Sequence, residues 1–329
     1  MDFVLSWVDN HDKRWLSEYL KYKNGADQGT HEARFRDWEN LQYWFRGVER
    51  YAPWVDKIHF VTYGHLPEWL NTEHPKLRIV NHEDFIPKEY LPTFNSRTID
   101  LNFHRISDLS EDFVYFNDDM FLIKEVDPEF FFKDGKVCDS ALTLPISGIH
   151  NFSHTFLSDI LILNKYFKKA EVIREKLGNW FNLKYGTSNL LNLLLLIVNK
   201  DFFPGFVNHH LPQAFKKSVF ELLWEKEPEA MHKACRFKFR NEQTVNIYLM
   251  RYWQLASNDF YPTKMKNRGE RFSFRTDEFP DEVLSFITAQ KKPLLCLNDY
   301  ETLNAFEEFK TKINGALASI FPNKSKFEI

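Results

Sequence analysis

With 329 residues and a mass of 39.5 kDa, the chain can bury a large core, as one large domain or two. Its 33 Phe, 9 Trp and 13 Tyr exclude disorder and supply stacking surfaces for sugars or bases, while a net charge of -3 excludes the broad basic field of a general nucleic-acid binder. Cys138, Cys235 and Cys296 are widely spaced with no CxxC pair, which argues against a disulfide framework or a structural zinc site and suits a reducing cytoplasm.

The N-terminus lacks a basic region followed by an apolar stretch, so it does not read as a signal peptide. Residues 2 to 8 read as an apolar strand that delivers Asp9-Asn10-His11-Asp12 at its end, followed by a helix over 13 to 23 and a flexible loop from Gly25 to Gly29. A helix from Arg34 to Arg46 carries Leu41, Trp44 and Phe45 on one apolar stripe, with Arg36 and Arg46 as surface charges or phosphate ligands. Strands follow at 57–62 and 77–80. Strands alternating with helices point to an α/β sheet that is at least partly parallel. Leu91 to Ser96 is a loop in which Asn95 or Ser96 can cap the helix carrying His104 and Arg105.

Phe113 to Ile123 is the most informative stretch. Its aromatic and β-branched residues read as a buried strand, interrupted by Asn117-Asp118-Asp119. Ligands of open α/β sheets sit outside the carboxyl ends of strands. Adjacent carboxylates repel, and a hard divalent ion such as Mg²⁺ or Mn²⁺ would compensate them. The plainer alternative is a turn between two strands. The first half, 1–145, thus reads as a nucleotide-binding type of α/β domain, with 146–329 a mainly helical half.

In that second half, Asn151 to His154 opens the helical region, and the uncharged run 190–198 reads most simply as a buried helix, with an interfacial membrane segment as the alternative. His209 and His210 precede a helix expected to begin around Pro212. They are candidate ligands, candidate bases or simply satisfied histidines. Another helix is expected over 242–256. Lys264 to Arg275 reads as a basic, mobile loop, 294–299 as a third strand ending in a carboxylate, and 300–318 as a final helix.

Taken together, Phe3 to Asp9, Arg36-Asp37 with Tyr43 and Arg46, Pro53-Trp54, Leu91 to Ser96, His104-Arg105-Ile106, Tyr115 to Asp119, His210-Leu211-Pro212, Arg240, Cys296 to Asp299 and Phe321 to Glu328 resemble the four ordered blocks of the Stealth family. The resemblance runs from residue 2 to 328. It implies a glycosyltransferase-A-like nucleotide-binding core and a sugar-1-phosphate transferase of capsule or exopolysaccharide biosynthesis. Such an enzyme takes a nucleoside-diphosphate sugar, most simply UDP-linked, and releases a nucleoside monophosphate.

By that resemblance, His210, Asp9, Arg240 and Asp118 are catalytic, with His210 the base and His209 in reserve. Asp118, Asp119 and Asp299 hold Mg²⁺ or Mn²⁺, while Arg36, Asn95, Arg105 and Asn298 bind the donor. The acceptor is expected to be a lipid-linked oligosaccharide or polysaccharide, met by a cytoplasmic enzyme at the inner face of the membrane. Two alternatives stay open: a metal-dependent glycosyltransferase that moves the sugar alone, and a non-catalytic carbohydrate-binding protein.

Overall fold

A computed structural model of the chain describes residues 1–23, 36–148, 152–300 and 303–329. Arg34, the Gly25–Gly29 stretch and Asn151 lie outside the described residues.

The main sheet is built on strand β1 (Asp2–Ser6), whose Phe3, Val4 and Leu5 are fully buried. A strand covered on both faces needs such an uninterrupted apolar run. β1 lies parallel between β2 (Ile58–Thr62) and β4 (Asp112–Asn117), with Phe3 opposite both Ile58 and Val114. β3 (Leu77–Asn81) continues the parallel set outside β2, and β8 (Gln213–Lys216) closes the other edge antiparallel to β4. Parallel neighbours require crossovers, and helices such as Leu41–Tyr51 and Ser96–Leu101 lie in those connections. The expected α/β class, mostly parallel, is therefore what the chain adopts.

Two smaller sheets complete the fold. One has the order β10–β11–β5, where β10 (Gly269–Phe274) is parallel to β11 (Leu294–Asp299) and β5 (Met120–Leu122) is antiparallel to it. The other joins β6 (Phe132–Lys133), β7 (Lys136–Asp139) and β9 (Phe260–Pro262). The second half is rich in helices, but it also supplies four of these strands. One apolar cluster runs through both halves, from Phe3, Trp44 and Phe116 to Leu249, Leu295 and Ile313.

Four expectations are corrected. The segment after Pro212 is strand β8, and the helix begins only at Lys217. Proline's fixed φ suits either element, and the unpaired edge of β4 decides for a strand. Gly269–Phe274 is a strand, not a loop: Phe272 and Phe274 are buried in alternation with Arg271 and Ser273. The helix Ser188–Val198 is not buried; its leucines are largely exposed. Arg46, a candidate phosphate ligand, instead donates to both oxygens of Glu328 at 2.8 and 2.6 Å and anchors the C-terminal segment.

Candidate active site

β4 ends at Asn117 and β5 begins at Met120, so Asp118 and Asp119 form the joint between the main sheet and the second one. They are a turn, as the plain reading holds, and that turn sits at the carboxyl edge of the sheet. Because β5 runs antiparallel to β11, the end of β11 arrives beside it, with the Leu297 N–H donating to the Asp119 carbonyl at 2.8 Å. Asp299 comes to the same region from the end of β11.

Electrostatics confirms the gathering. Asp118 is open to solvent in its recess, yet crowding by protein, then the charges of Asp119, Asp37 and Asp299, push its carboxyl up to about 8. Water reaching the group moderates that rise. Asp299 is pushed up to about 6, by burial first, with Arg36 opposing and Asp119 reinforcing the shift. Asp37 is raised by burial, with Glu39 and Asp9 adding repulsion. Arg36 Nη1 lies 3.8 Å from Asp299 Oδ2 and donates to the Leu303 carbonyl at 3.1 Å.

Asp119 has two differently placed oxygens. Oδ2 accepts from the Cys296 thiol at 3.4 Å and lies 3.5 Å from His210 Nε2. Oδ1 is buried and, among the described residues, has no hydrogen-bond donor; the same is true of Asp299 Oδ2. Buried carboxylate oxygens without donors, amid mutually repelling carboxylates, are what a hard cation would satisfy. Carboxylate oxygens of this kind are the donors a hard divalent cation takes. Among the described residues, the group whose ligand atoms all lie within 4.8 Å of one another is Asp119, His210 and Cys296, not the expected Asp118, Asp119 and Asp299. Burial and the Asp119 charge hold the Cys296 thiol well above its ordinary range, so it stays protonated and is a poor ligand.

The loop that presents His210 is braced from behind. Arg251 makes a buried two-point ion pair with Asp139 at 2.7 and 2.9 Å and donates to the Val207 carbonyl and Asn208 Oδ1. His209 turns toward this pair, with Nε2 3.2 Å from Ser140 Oγ, and burial followed by the Arg251 charge lowers it to about 4. The adjacent histidines are thus sorted: His210 faces the carboxylates and His209 faces the brace.

The other expected residues divide. Asp9 accepts from the His11 N–H at 2.8 Å and lies near enough to Asp37 to raise it. Arg240 donates to Ser96 Oγ and lies near Asp100, whose carboxyl is pushed up to about 7 by burial, against the opposing Tyr115 hydrogen bond and Arg240 charge. Asp100 Oδ1 accepts from Tyr115, itself bonded to Asn117 at 2.6 Å. Arg240 thereby borders the joint without touching its carboxylates. Asn298 sits at the end of β11, its amide 3.5 Å from the Asp299 carbonyl.

Two expected donor ligands have their partners away from the carboxylates. Asn95 is fully buried and caps the helix Ser96–Leu101 by accepting from the Arg97 N–H at 3.1 Å, with its amide on the Ala234 and Phe237 carbonyls. It is a fold residue. Arg105 bonds Asn102 at 3.0 Å and lies over the Trp224 ring, and neither partner belongs to the cleft.

Two further residues border the site. Asp37, in sequence only part of a motif, precedes the helix that starts at Leu41 and adds its charge to Asp118. Arg271 stands opposite Cys296 in the β10–β11 register and its charge reaches that thiol. The alternation Glu270-Arg271-Phe272-Ser273-Phe274 was the available signal.

A family model described as Stealth protein CR2, conserved region 2, matches residues 34–139. Capsular polysaccharide phosphotransferase WcwK of Streptococcus pneumoniae is 40% identical, over 100% of this chain and 98% of its own length. Exopolysaccharide phosphotransferase cps2G of Lactiplantibacillus plantarum is 36% identical, over 100% and 96%. Receptor polysaccharide phosphotransferase WefC of Streptococcus oralis is 35% identical, over 100% and 99%.

Proposed function

Because the chain belongs to the Stealth family of polysaccharide phosphotransferases, we propose that it moves a hexose- or N-acetylhexosamine-1-phosphate from a nucleoside-diphosphate sugar to a hydroxyl of a lipid-linked glycan. One observation carries this reading: His210, 3.5 Å from Asp119, stands at the edge of a cluster of mutually repelling carboxylates. This geometry supports reading His210 as a base for a hydroxyl beside a seat for a cation.

In the proposed step, the acceptor oxygen bonds to the phosphorus that carries the sugar and the phosphoanhydride P–O bond breaks. The electron pair leaves with the nucleoside monophosphate, and the hydroxyl proton passes to His210. The His210 imidazole, with Nε2 3.5 Å from Asp119 Oδ2, is the group that takes that proton. Transfer of this kind depends on positioning and on spreading phosphoryl charge. Arg36, Arg271 and Arg240 supply positive charge from three segments. A divalent cation on Asp118, Asp119 and Asp299 would neutralise the pyrophosphate.

The test is incubation with a panel of nucleotide sugars, with phosphorus NMR of the glycan and chromatography of the released nucleotide. A phosphodiester in the product and a monophosphate in solution are expected. A phosphorus-free glycoside accompanied by a diphosphate would mean that the sugar alone is transferred, and would overturn the proposal.

A further inference from the structure

The helix Ser188–Val198 is inside out. On a protein surface a helix normally turns its apolar stripe inward and its polar face to water. Here Asn192 is the one fully buried residue, and all of its hydrogen-bonding capacity is used: Oδ1 accepts from the Thr143 N–H and Oγ1, and Nδ2 donates to the Ala141 and Trp180 carbonyls. On the same inner side, Lys169 donates to the Leu195 carbonyl and Asn189 to that of Asn182. The outer face is aliphatic: Leu190, Leu193, Leu194, Ile197 and Val198 are 46 to 74% exposed. Leu183 and Phe202 extend it at either end. An apolar patch of this kind marks a surface meant to be covered.

Charge indicates what covers it. Residues 185 to 199 carry no charge and are bounded by Lys184 and Lys200, both exposed. The segment 153–206 holds seven Lys and Arg against four Asp and Glu, in a chain whose net charge is -3. In a two-fold dimer through this helix, the same lysines would face one another and repel. An anionic bilayer surface offers acyl chains to the leucines and headgroup phosphates to the lysines. Among the described residues no helix is long and apolar enough to cross a membrane, so the contact lies in the interface plane. The chain then runs from Val198 to His210 in twelve residues, which ties this face to the base.

We propose that the outer face of the helix Ser188–Val198, flanked by Lys184 and Lys200, docks the protein on an anionic lipid bilayer. The inference stands apart from the transfer chemistry and is tested without turnover. Purified protein is floated with vesicles of phosphatidylcholine alone or with one-third phosphatidylglycerol, at low and high salt. Flotation with the anionic vesicles is expected, reduced roughly tenfold or more by Leu194→Glu with Ile197→Glu. Lys184→Glu with Lys200→Glu should weaken it and flatten its salt dependence. All these side chains are exposed, so unchanged circular dichroism should accompany the loss. As a second measurement, Leu194→Trp should show a blue-shifted emission on adding the anionic vesicles. No flotation and no spectral shift at low salt would overturn the proposal. So would a dimer in solution that Leu194→Glu dissociates, since a second copy would then be the occupant.

Discussion

At the scale of single residues, the site turns on how two adjacent pairs are divided. Asp119 faces Cys296 and His210 through Oδ2 and leaves Oδ1 without a donor, whereas Asp118 adds charge to the cluster. Replacing Asp119 by Asn removes both the pull on His210 and the donor-free Oδ1, and turnover is expected to fall by roughly 10³-fold or more. Asp118→Asn should lower turnover comparably, while raising the melting temperature by about 2 °C at neutral pH, because a repelled carboxylate is gone. Turnover assays with thermal melts check both. Full activity of both variants in excess chelator would remove the cation from the scheme.

The histidine pair makes the second test. His210→Ala should cost roughly 10²–10⁴-fold in rate with an unchanged donor Kd, as expected for a lost base. His209→Ala should instead loosen the brace around Arg251 and appear first in stability. The opposite assignment of the two phenotypes would transfer the base role to His209.

At the scale of elements, strands that end in carboxylates were readable directly from sequence. Each is an apolar run long enough to be buried, closed by an acid that cannot follow it inside: Asp9, Asp118 and Asp299. β8 and β10 were not readable, because each is only half apolar and exists by pairing with an edge about one hundred residues away for β8 and 25 away for β10. The exposure of the helix Ser188–Val198 was hidden for a related reason: a leucine run looks the same whether protein or something else covers it.

Element packing also makes a prediction at Gly47. The helix Leu41–Tyr51 lies so close to β5 that a Cβ at Gly47 would overlap the Leu122 carbonyl oxygen. Alanine normally favours a helix by about 1 kcal/mol over glycine. Here a backbone carbonyl cannot step aside, and overpacking costs about 1–3 kcal/mol. Gly47→Ala should therefore lower the urea midpoint, and since β5 begins one residue after Asp119, weaken turnover as well. A midpoint raised by the substitution would show that the two elements can separate freely.

At the scale of the whole molecule, two sets of titrating groups oppose each other. His82 and His104 are each lowered to about 3, chiefly by burial, and His209 to about 4. The folded chain holds these rings neutral, so it binds fewer protons than the unfolded chain below about pH 6.5, and their contribution to stability falls as pH drops. The site carboxylates act with the other sign. Asp118 and Asp299 bind protons more tightly when folded than the ordinary carboxyl near 4, so between about pH 4 and 8 their contribution falls as pH rises. Metal-free protein should therefore melt highest between these limits, around pH 6. The cluster can be isolated by difference: the gain in melting temperature from Asp118→Asn should be largest at pH 8 and nearly vanish at pH 5. A divalent ion binds the ionised cluster only, so Mn²⁺ at about one hundred times its Kd should add about 2.7 kcal/mol at pH 8 and much less at pH 5, where protons compete. Thermal melts of wild type and Asp118→Asn at the two pH values, with and without Mn²⁺, decide it. If Mn²⁺ raises the wild-type melt equally at both pH values, or raises the variant as much as the wild type, the carboxylates gathered at the sheet edge are not where the cation binds.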